Sequence, residues 1–590
     1  MRMRRTLFCA LLVTAVVTSP SAQQRSIDDF FAAFTADWIR QNPNQAASTR
    51  FFTGEEQRQF ERQITPLTPE WRRARVTLAE RSLDELNRIA KASSLTDSQR
   101  VSADLMRWQL EIFIRSDRYN DYFFPFEQFG GANVGLVSLM TVSHPLVTEA
   151  DAANYVARLG QFAPRLDEAI AEARRTAALG FIPPRFIVRA TLAQMQQFVA
   201  SPPAQNPLVA SFASRMTTAS AIPEARWPGL AADAEKVVAS QIYPAWQRAI
   251  AVVQPLEAKA TDDAGLWRFK DGAAAYAEML RRFTTTSLTA DQIHQIGLNE
   301  VARIEQEMDA ILRKLGRAHG SVKDRIEQLK KDLSYPLSED GRTRIMADVD
   351  GILRDAEKRA APQFDRRPKA PVVARPFQRF QEANAAANYT APARDGSRPG
   401  IFQIPLRPER MTRFNLRSLV YHETVPGHHF QVALELENTD LPQFRQIRAF
   451  GPISAFSEGW GLYAERLAAE LGWYDGDPEG LLGQLDSALF RARRLVVDTG
   501  LHAKRWTRQQ AIDYGIEASE VERYVVNPGQ ACSYMIGQLK IVELREKARA
   551  ALGNRFSIRE FHNVVLGTGS VPLDLLERQV DAYIRSSRGL

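Results

Sequence analysis

Apolar residues recur at helical spacing along most of the chain. Leu105, Trp108 and Ile112, for example, are separated by three and four residues, so they fall on one face of a helix. The same spacing predicts helices over residues 68–91, 95–117, 148–178, 231–258, 289–316 and 338–361. Thr148 and Thr289 each precede an acidic or amide residue by three positions, which is typical of a helix start. We therefore predict a mainly α-helical fold.

Two short segments break this pattern and are typical of β-strands. They are residues 371–378 and 400–406, and a turn-rich stretch lies between them. We predict a small β-ribbon beside the helices. Because a free strand edge can pair with an extended peptide, residues 400–406 are the predicted place for such pairing.

The first 22 residues are typical of a signal peptide. Three arginines within residues 2–5 precede an apolar run over 6–17, and small residues follow at 19–22. The run is shorter than the roughly 20 apolar residues that span a bilayer, so we expect no stable membrane insertion. Cys9 lies inside the run and not after it, which argues against a lipoprotein. We predict an exported protein, periplasmic or secreted; an uncleaved N-terminal helix is the alternative.

The composition is that of a globular protein, because 45% of the 590 residues are hydrophobic and 25% are charged. It excludes a disordered chain, a collagen-like fibre and a polytopic membrane protein. The net charge of +7 falls to +4 without the three signal arginines. This charge is too small over such a length to indicate a nucleic-acid partner. Two cysteines exclude a disulfide scaffold and a cysteine-rich metal site, and only Cys532 remains after cleavage.

Three of the 8 histidines fall within residues 421–431. His422 and Glu423 match the first two residues of the zinc-peptidase motif H-E-x-x-H. In that motif two histidines one helical turn apart bind the metal. On a straight helix His428 would point about 120° away from His422. His429 would lie roughly 10 Å along the axis from His422. Zinc–nitrogen bonds of ~2.0–2.1 Å fit neither spacing on an unbroken helix.

A Pro-Gly pair can interrupt the helix so that two histidines of the cluster approach each other. Pro426 cannot donate a hydrogen bond to the carbonyl of His422, and Gly427 adopts backbone angles that other residues avoid. We predict a helix bulge that turns His428 toward His422. His429 is the alternative second ligand. A pair of core histidines beside a kink is the interpretation without a metal.

A third ligand is predicted on a second helix. Glu458 lies 30 residues after His428, and Glu465 lies seven residues further on the same face. Gly459 and Gly461 weaken this helix by roughly 1 kcal/mol each, which makes sense if another group approaches closely. We predict Glu458 as the ligand and Glu465 as an alternative ligand or a carboxylate that supports one. A solvated acidic face is the simpler interpretation.

Four stretches of the last third resemble the bacterial family called domain of unknown function 885. They are residues 421–431, 457–465, 497–502 and 528–537. The family looks like a branch of zinc metallopeptidases of the gluzincin type, related to helical, two-lobed peptidases of the angiotensin-converting and carboxypeptidase Taq kinds. This relation implies a long central cleft lined by helices, with a short strand edge above the metal.

The resemblance also changes the expected domain organisation. Length alone suggests roughly three to five domains. The relation instead implies one two-lobed catalytic domain over residues 23–590. Residues 23–265 would form a mainly helical N-terminal lobe, and residues 266–590 would carry the metal motifs.

Two further residues are candidates for stabilising developing charge. Arg494, Asp498 and His502 are four apart on one helix, so Asp498 is predicted to hold His502 in one tautomer. His502 would then hydrogen-bond the tetrahedral intermediate. Tyr534 follows a predicted helix start, and its phenol is a candidate oxyanion donor. A surface ion pair and ordinary core packing are the respective alternatives.

Together these patterns predict an exported zinc-dependent peptidase acting on short peptides. His422, His428 and Glu458 would hold Zn²⁺, and Glu423 would be the general base. One alternative is a zinc hydrolase of another amide, such as a cell-wall peptide. Another is a non-catalytic helical binding protein whose metal site is structural or lost. The sequence leaves the oligomeric state and the choice between endo- and exopeptidase open.

Overall fold

The computed structural model describes residues 25–589, except 378, 383–385, 394, 395 and 397. The predicted signal peptide, residues 1–22, lies outside the described residues. In the described chain the prediction of a mainly helical fold is confirmed, with 71% helix and 3% strand. No helix of this part of the chain combines the length and apolar character needed to cross a membrane.

The helices before residue 260 form the first part of the fold. They are α1 (Ile27–Arg40), α2 (Pro43–Thr49), α3 (Gly54–Glu61), α4 (Pro69–Ala92), α5 (Asp97–Asp117), α6 (Ala132–Ser138), α7 (Glu149–Leu159), α8 (Phe162–Ala178), α9 (Arg185–Ala200), α10 (Pro207–Met216), α11 (Trp227–Val237), α12 (Tyr243–Val253) and α13 (Leu256–Lys259).

The middle of the chain contains four helices and then the sheet. The helices are α14 (Gly272–Thr284), α15 (Ala290–Lys314), α16 (Val322–Asp332) and α17 (Glu339–Ala360). The sheet region consists of β1 (Val372–Pro376), the short helix α18 (Arg379–Glu382), β2 (Asn388–Thr390) and β3 (Gly400–Ile404).

The remaining helices carry the predicted metal motifs. They are α19 (Arg413–Glu423), α20 (His428–Glu437), α21 (Gln443–Gln446), α22 (Ser454–Glu470), α23 (Pro478–Ala503), α24 (Arg508–Asp513), α25 (Ala518–Val526), α26 (Ser533–Leu552), α27 (Ile558–Thr568) and α28 (Leu573–Arg588).

The helix predictions agree with the structure in position and in their starts. The threonine hydroxyls of Thr148 and Thr289 accept hydrogen bonds from the backbone three residues on, as the capping pattern predicts. Two long predictions are modified: residues 148–178 divide into α7 and α8, and in residues 231–258 a π-helical turn over Val238–Ile242 joins α11 to α12, with α13 following. Local spacing marks helical faces well but does not mark such interruptions.

The sheet has three strands in the order β1-β3-β2. β1 runs parallel to β3, and β2 runs antiparallel to it. Both predicted strands are confirmed, whereas β2 lies in a stretch predicted as turn-rich. The expectation that residues 400–406 pair with a peptide is wrong, because β3 is central and has a neighbour along both edges. The free edges of the described sheet belong to β1 and β2.

One large apolar core positions the site. It contains Tyr421 of α19 and Trp460 of α22, both shielded from solvent, and it continues to Phe402 of β3. The first helices join the same core: the rings of Phe31 and Phe444 lie 5.3 Å apart. α19 packs against α22 and α23, and α22 packs against α26. The helices that carry the motifs are therefore held rigidly by burial. The division into two lobes stays a prediction.

Candidate metal centre

The two histidines of the centre lie on either side of a helix break. α19 ends at Glu423, and α20 begins at His428. The predicted bulge within one helix is therefore wrong. Proline at 426 removes a donor and disfavours helical angles at the residue before it, so the chain leaves the helix completely. Trp460 on α22 fixes the break, because its indole N–H donates to the carbonyl of Pro426 at 2.8 Å.

Gly427 makes this break possible by its small size. A Cβ atom at this position would lie 2.0 Å from the carbonyl oxygen of His422, well inside contact distance. The chain can therefore fold back over the end of α19 only with glycine here. The fold-back brings the rings of His422 and His428 to a centroid distance of 4.7 Å, with an angle of 84° between their planes.

Glu458 of α22 completes a three-residue cluster. Its Oε2 lies 3.5 Å from Nε2 of His422 and 3.5 Å from Nε2 of His428. Two ligands bound at ~2.0–2.1 Å to a tetrahedral zinc ion are about 3.3–3.4 Å apart. These two separations fit ligands of a shared zinc ion, and imidazole and carboxylate are donors of the type zinc prefers.

Glu465 orients His422 from the opposite side of the ring. Its Oε1 lies 2.7 Å from Nδ1 of His422, and its Oε2 accepts a hydrogen bond from the hydroxyl of Ser418. A neutral His422 therefore carries its proton on Nδ1, and Nε2 is the nitrogen directed at Glu458. Glu465 therefore lies behind the His422 ring, where a supporting carboxylate would lie, and its role stays a prediction.

The two glycines of α22 allow the close approach that the sequence predicted. A Cβ atom at Gly461 would lie 2.8 Å from Cε1 of His422. A Cβ atom at Gly459 would lie 2.6 Å from Cα of Gly537 in α26. Gly461 therefore makes room for the ligand ring, and Gly459 makes room for the neighbouring helix.

Glu423 lies beside the cluster and differs from the other carboxylates. One of its oxygens and a nitrogen from each of His422 and His428 all lie within 4.8 Å of one another. Its carboxylate makes no hydrogen bond with the described residues, and the residue is 9% exposed. Burial raises the pKa of Glu423, which favours proton uptake. The carboxylate is free to accept a proton from a water molecule.

The charges of the cluster favour a cation between the carboxylates. Burial alone would lower the pKa of His422, but Glu458 and Glu465 together raise it to about 9. Burial would raise the pKa of Glu458, and the hydrogen bonds to the two histidines instead hold it well below its ordinary value. A metal ion can replace the protons that satisfy these carboxylates, because metal binding and protonation compete for the same atoms.

His429 lies away from the cluster. Its Nδ1 is 3.0 Å from the hydroxyl of Tyr389 in β2, and its ring contacts the backbone at Gly400 in β3. Neighbouring residues on a helix differ by about 100° in direction, so His428 faces α22 while His429 faces the sheet. The structure thus brings His428, and not the alternative His429, to His422.

The predicted contact between Asp498 and His502 is wrong. The Leu266 N–H donates to Nδ1 of His502 at 3.1 Å, and Nε2 of His502 lies 3.0 Å from the carbonyl of Tyr524. Asp498 instead accepts from the Tyr276 hydroxyl at 2.5 Å. This part of α23 is buried, so tertiary neighbours replace the contact expected along the helix. Both ring nitrogens of His502 are already engaged, so the structure gives no support to an oxyanion role.

Tyr534 packs against Arg494, whose guanidinium carbon lies 4.6 Å from the ring centroid. Its predicted role as an oxyanion donor stays a prediction. The sequence reasoning missed Arg491, whose Nη2 lies 3.9 Å from Oε1 of Glu465. The only feature of the local sequence that points to Arg491 is its position one turn before Arg494 on a buried helix.

Most of the chain matches a protein family. A family model described as "Bacterial protein of unknown function (DUF885)" matches residues 43–580. The chain belongs to the DUF885 family. The resemblance seen in the four motif stretches of this DUF885 protein is therefore confirmed, while the family's description assigns no activity.

Two solved structures are similar to this DUF885 protein. One is described as "putative lipoprotein from Colwellia psychrerythraea": it is 32% identical, covers 95% of this chain and 100% of its own, and superposes with a TM-score of 0.88. The other is a "putative lipoprotein of unknown function from Shewanella oneidensis", 19% identical, covering 94% of this chain and 99% of its own with a TM-score of 0.69. The second likeness concerns the fold alone. No curated protein matches the chain.

Proposed function

We propose that this DUF885 protein is an exported zinc-dependent peptidase that hydrolyses short peptides. The observation that carries the proposal is the position of Glu458, 3.5 Å from Nε2 of both His422 and His428. The unpaired carboxylate of Glu423 beside these three residues adds a base where a reacting water molecule would bind.

The residues have distinct roles in this mechanism. His422, His428 and Glu458 would hold the metal, and Glu465 would keep the Nε2 lone pair of His422 directed at it. Zinc in this position supplies a Lewis acid that polarises the scissile carbonyl and makes water more acidic. Glu423 takes the proton from the attacking water and delivers it to the leaving amine nitrogen.

The number of converging ligands favours catalysis over a structural metal. Structural zinc sites are almost always closed by four protein ligands, whereas catalytic sites keep three and leave one position open. Here His422, His428 and Glu458 converge. An oxygen of Glu423 also lies within 4.8 Å of a nitrogen of each histidine, so in this proposal Glu423 acts on the molecule in the open position. All three ligand residues are present, which argues against a binding protein whose metal site has been lost.

Export is supported by two independent observations. Residues 1–22 have the basic, apolar and small-residue segments of a signal peptide. The similar solved structure that is 32% identical is described as a "putative lipoprotein", and lipoproteins are exported before lipid attachment.

The test compares two glutamates of the centre. Glu423→Gln removes the base but no ligand, so the variant should keep its zinc and lose about 10²- to 10⁴-fold in kcat on a peptide library. Glu458→Gln should lose the zinc itself. Undiminished cleavage by Glu423→Gln would contradict the mechanism, and cleavage confined to other amides, such as cell-wall peptides, would correct the substrate class.

A further inference from the structure

A cleft lies between the early helices and the helices that carry the metal motifs. It has a volume of about 480 Å³, and α4, α5, the end of α14 and the start of α22 border it. That volume is in the range of ligand pockets, which is ~300–1,000 Å³. We call it the aromatic cleft, because six aromatic side chains line it: Trp71, Trp108, Phe113, Phe123, Phe283 and Phe450.

The aromatic cleft approaches the candidate metal centre along α22. Ser454, the first residue of this helix, lines the cleft. Glu458 lies one turn further, about 6 Å along the axis and on nearly the same face of the helix. Residues of an extended peptide are spaced by ~3.3 Å, so this distance corresponds to about two residues. A peptide bound at the metal centre can therefore place a nearby side chain in the cleft.

The rings of the cleft differ in how far they are already packed. Phe113 and Phe450 lie against Trp38 of α1, with centroid distances of 5.0 Å and 4.7 Å. Trp108 and Phe283, in contrast, make no ring–ring contact with any residue that the structure describes. Phe283 is also only half-buried. Rings of this kind leave apolar surface for a ligand to cover.

One charged residue of the cleft has no polar partner. The charged residues of the lining are Arg72, Arg75, Asp117 and Arg282. Arg72 lies 3.0 Å from Asp117, which pairs these two charges. Arg75 is buried: its guanidinium carbon lies 3.8 Å from the ring centroid of Trp38, and its Nη1 donates to the carbonyl of that residue. Arg282 is exposed and makes neither a hydrogen bond nor an ion pair within the described chain.

We infer that the aromatic cleft binds an aromatic side chain of the peptide substrate. The unpaired guanidinium of Arg282 lies beside the cleft ring of Phe283, with its carbon 5.3 Å from the ring centroid. It can stack on an inserted aromatic ring, which an aliphatic side chain would not reward. Three arginines against one aspartate also disfavour a lysine or arginine side chain here. The inference rests on the proposed function for the reaction, but the binding itself requires no hydrolysis.

The test uses the zinc-loaded Glu423→Gln protein, so that no peptide is consumed. The reference peptide is acetylated and amidated pentaalanine, and phenylalanine, cyclohexylalanine or lysine replaces each of its residues in turn. Isothermal titration calorimetry should show that phenylalanine at one position tightens binding ~10- to 100-fold, because its side chain is buried. Cyclohexylalanine has a similar size without the π-electrons, so it should bind about two- to fivefold more weakly than phenylalanine. Lysine should give no gain.

Substitutions then assign the effect to the cleft. Phe283→Ala, added to Glu423→Gln, should reduce the gain from phenylalanine and leave pentaalanine unchanged. Arg282→Gln should remove the difference between phenylalanine and cyclohexylalanine. Phe556→Ala is the matched control, because Phe556 is also half-buried and lies 5.1 Å from the guanidinium carbon of Arg549, but stands beyond the end of α26. It should change no affinity by more than about twofold.

Three outcomes would overturn the inference. Phenylalanine peptides that bind no better than pentaalanine, or do not bind at all, contradict it without depending on any variant of the cleft. Equal affinity for phenylalanine and cyclohexylalanine contradicts recognition of an aromatic ring. An unchanged phenylalanine gain in Phe283→Ala contradicts the place of binding. Phenylalanine-dependent binding without cleavage by the wild type would instead contradict the proposed function and leave this inference standing.

Discussion

Glu465 is the residue whose removal tests the geometry of the centre most sensitively. It is fully buried, it lies 2.7 Å from Nδ1 of His422, and it makes no contact with the predicted position of the metal. In Glu465→Gln the amide oxygen can still accept the hydrogen bond, but the negative charge that makes the imidazole a stronger ligand is lost. Loss of such a supporting carboxylate typically weakens metal binding ~10- to 100-fold, or about 1.4–2.7 kcal/mol.

Zinc affinity can be measured by titration against a competing chelator of known affinity. Glu435→Gln provides a matched control, because Glu435 is also buried and bonded to a charged partner, Arg448, but lies two helical turns beyond His428 on α20. The control should lose stability without losing zinc affinity. A folded Glu465→Gln protein whose zinc affinity falls less than threefold would refute the assignment of His422 Nε2 as a ligand atom.

Further predictions concern the packing and the acid stability of the chain. Gly461→Ala places a methyl group 2.8 Å from Cε1 of His422, so zinc content should fall and the free energy of unfolding should drop by about 1–3 kcal/mol; unchanged zinc content would contradict the contact. His144 is buried with Arg158 bonded to its Nδ1, and burial lowers its pKa to about 4. Its contribution to stability is therefore present above pH 6.5 and lost as the pH falls toward 4, by up to about 3 kcal/mol. Urea unfolding should show this slope in wild type and a shallower slope in His144→Asn; parallel slopes would contradict it.

The helical fold could be predicted from the sequence because the buried apolar residues recur at helical spacing. Thr289, for instance, marks the start of α15 through a cap that depends only on nearby residues. β2 was missed because three residues in a turn-rich stretch become a strand only through pairing with β3. The breaks within the long predicted helices were missed for a similar reason, since the surrounding packing decides where a helix ends.

The residues of the candidate centre could be predicted where metal-binding side chains lie close together in the sequence. His422, His428 and Glu458 were identified from residue types and spacing, and the structure brings them together. Contacts that depend on distant elements were not predictable: His502 is held by the backbone of two other segments rather than by Asp498. The sequence also could not indicate that Arg491, on α23, would stand next to Glu465 on α22.

The central claim is that His428, rather than its neighbour His429, joins His422 and Glu458 around zinc. Elemental analysis of purified wild type, His428→Ala and His429→Ala after equal exposure to zinc tests it directly. Both variants remove an imidazole from adjacent positions at the start of α20, so each controls for the other. We expect roughly one zinc ion per chain in wild type and in His429→Ala, and a large loss in His428→Ala. Metal-free wild type, or full zinc content in His428→Ala, would contradict the account.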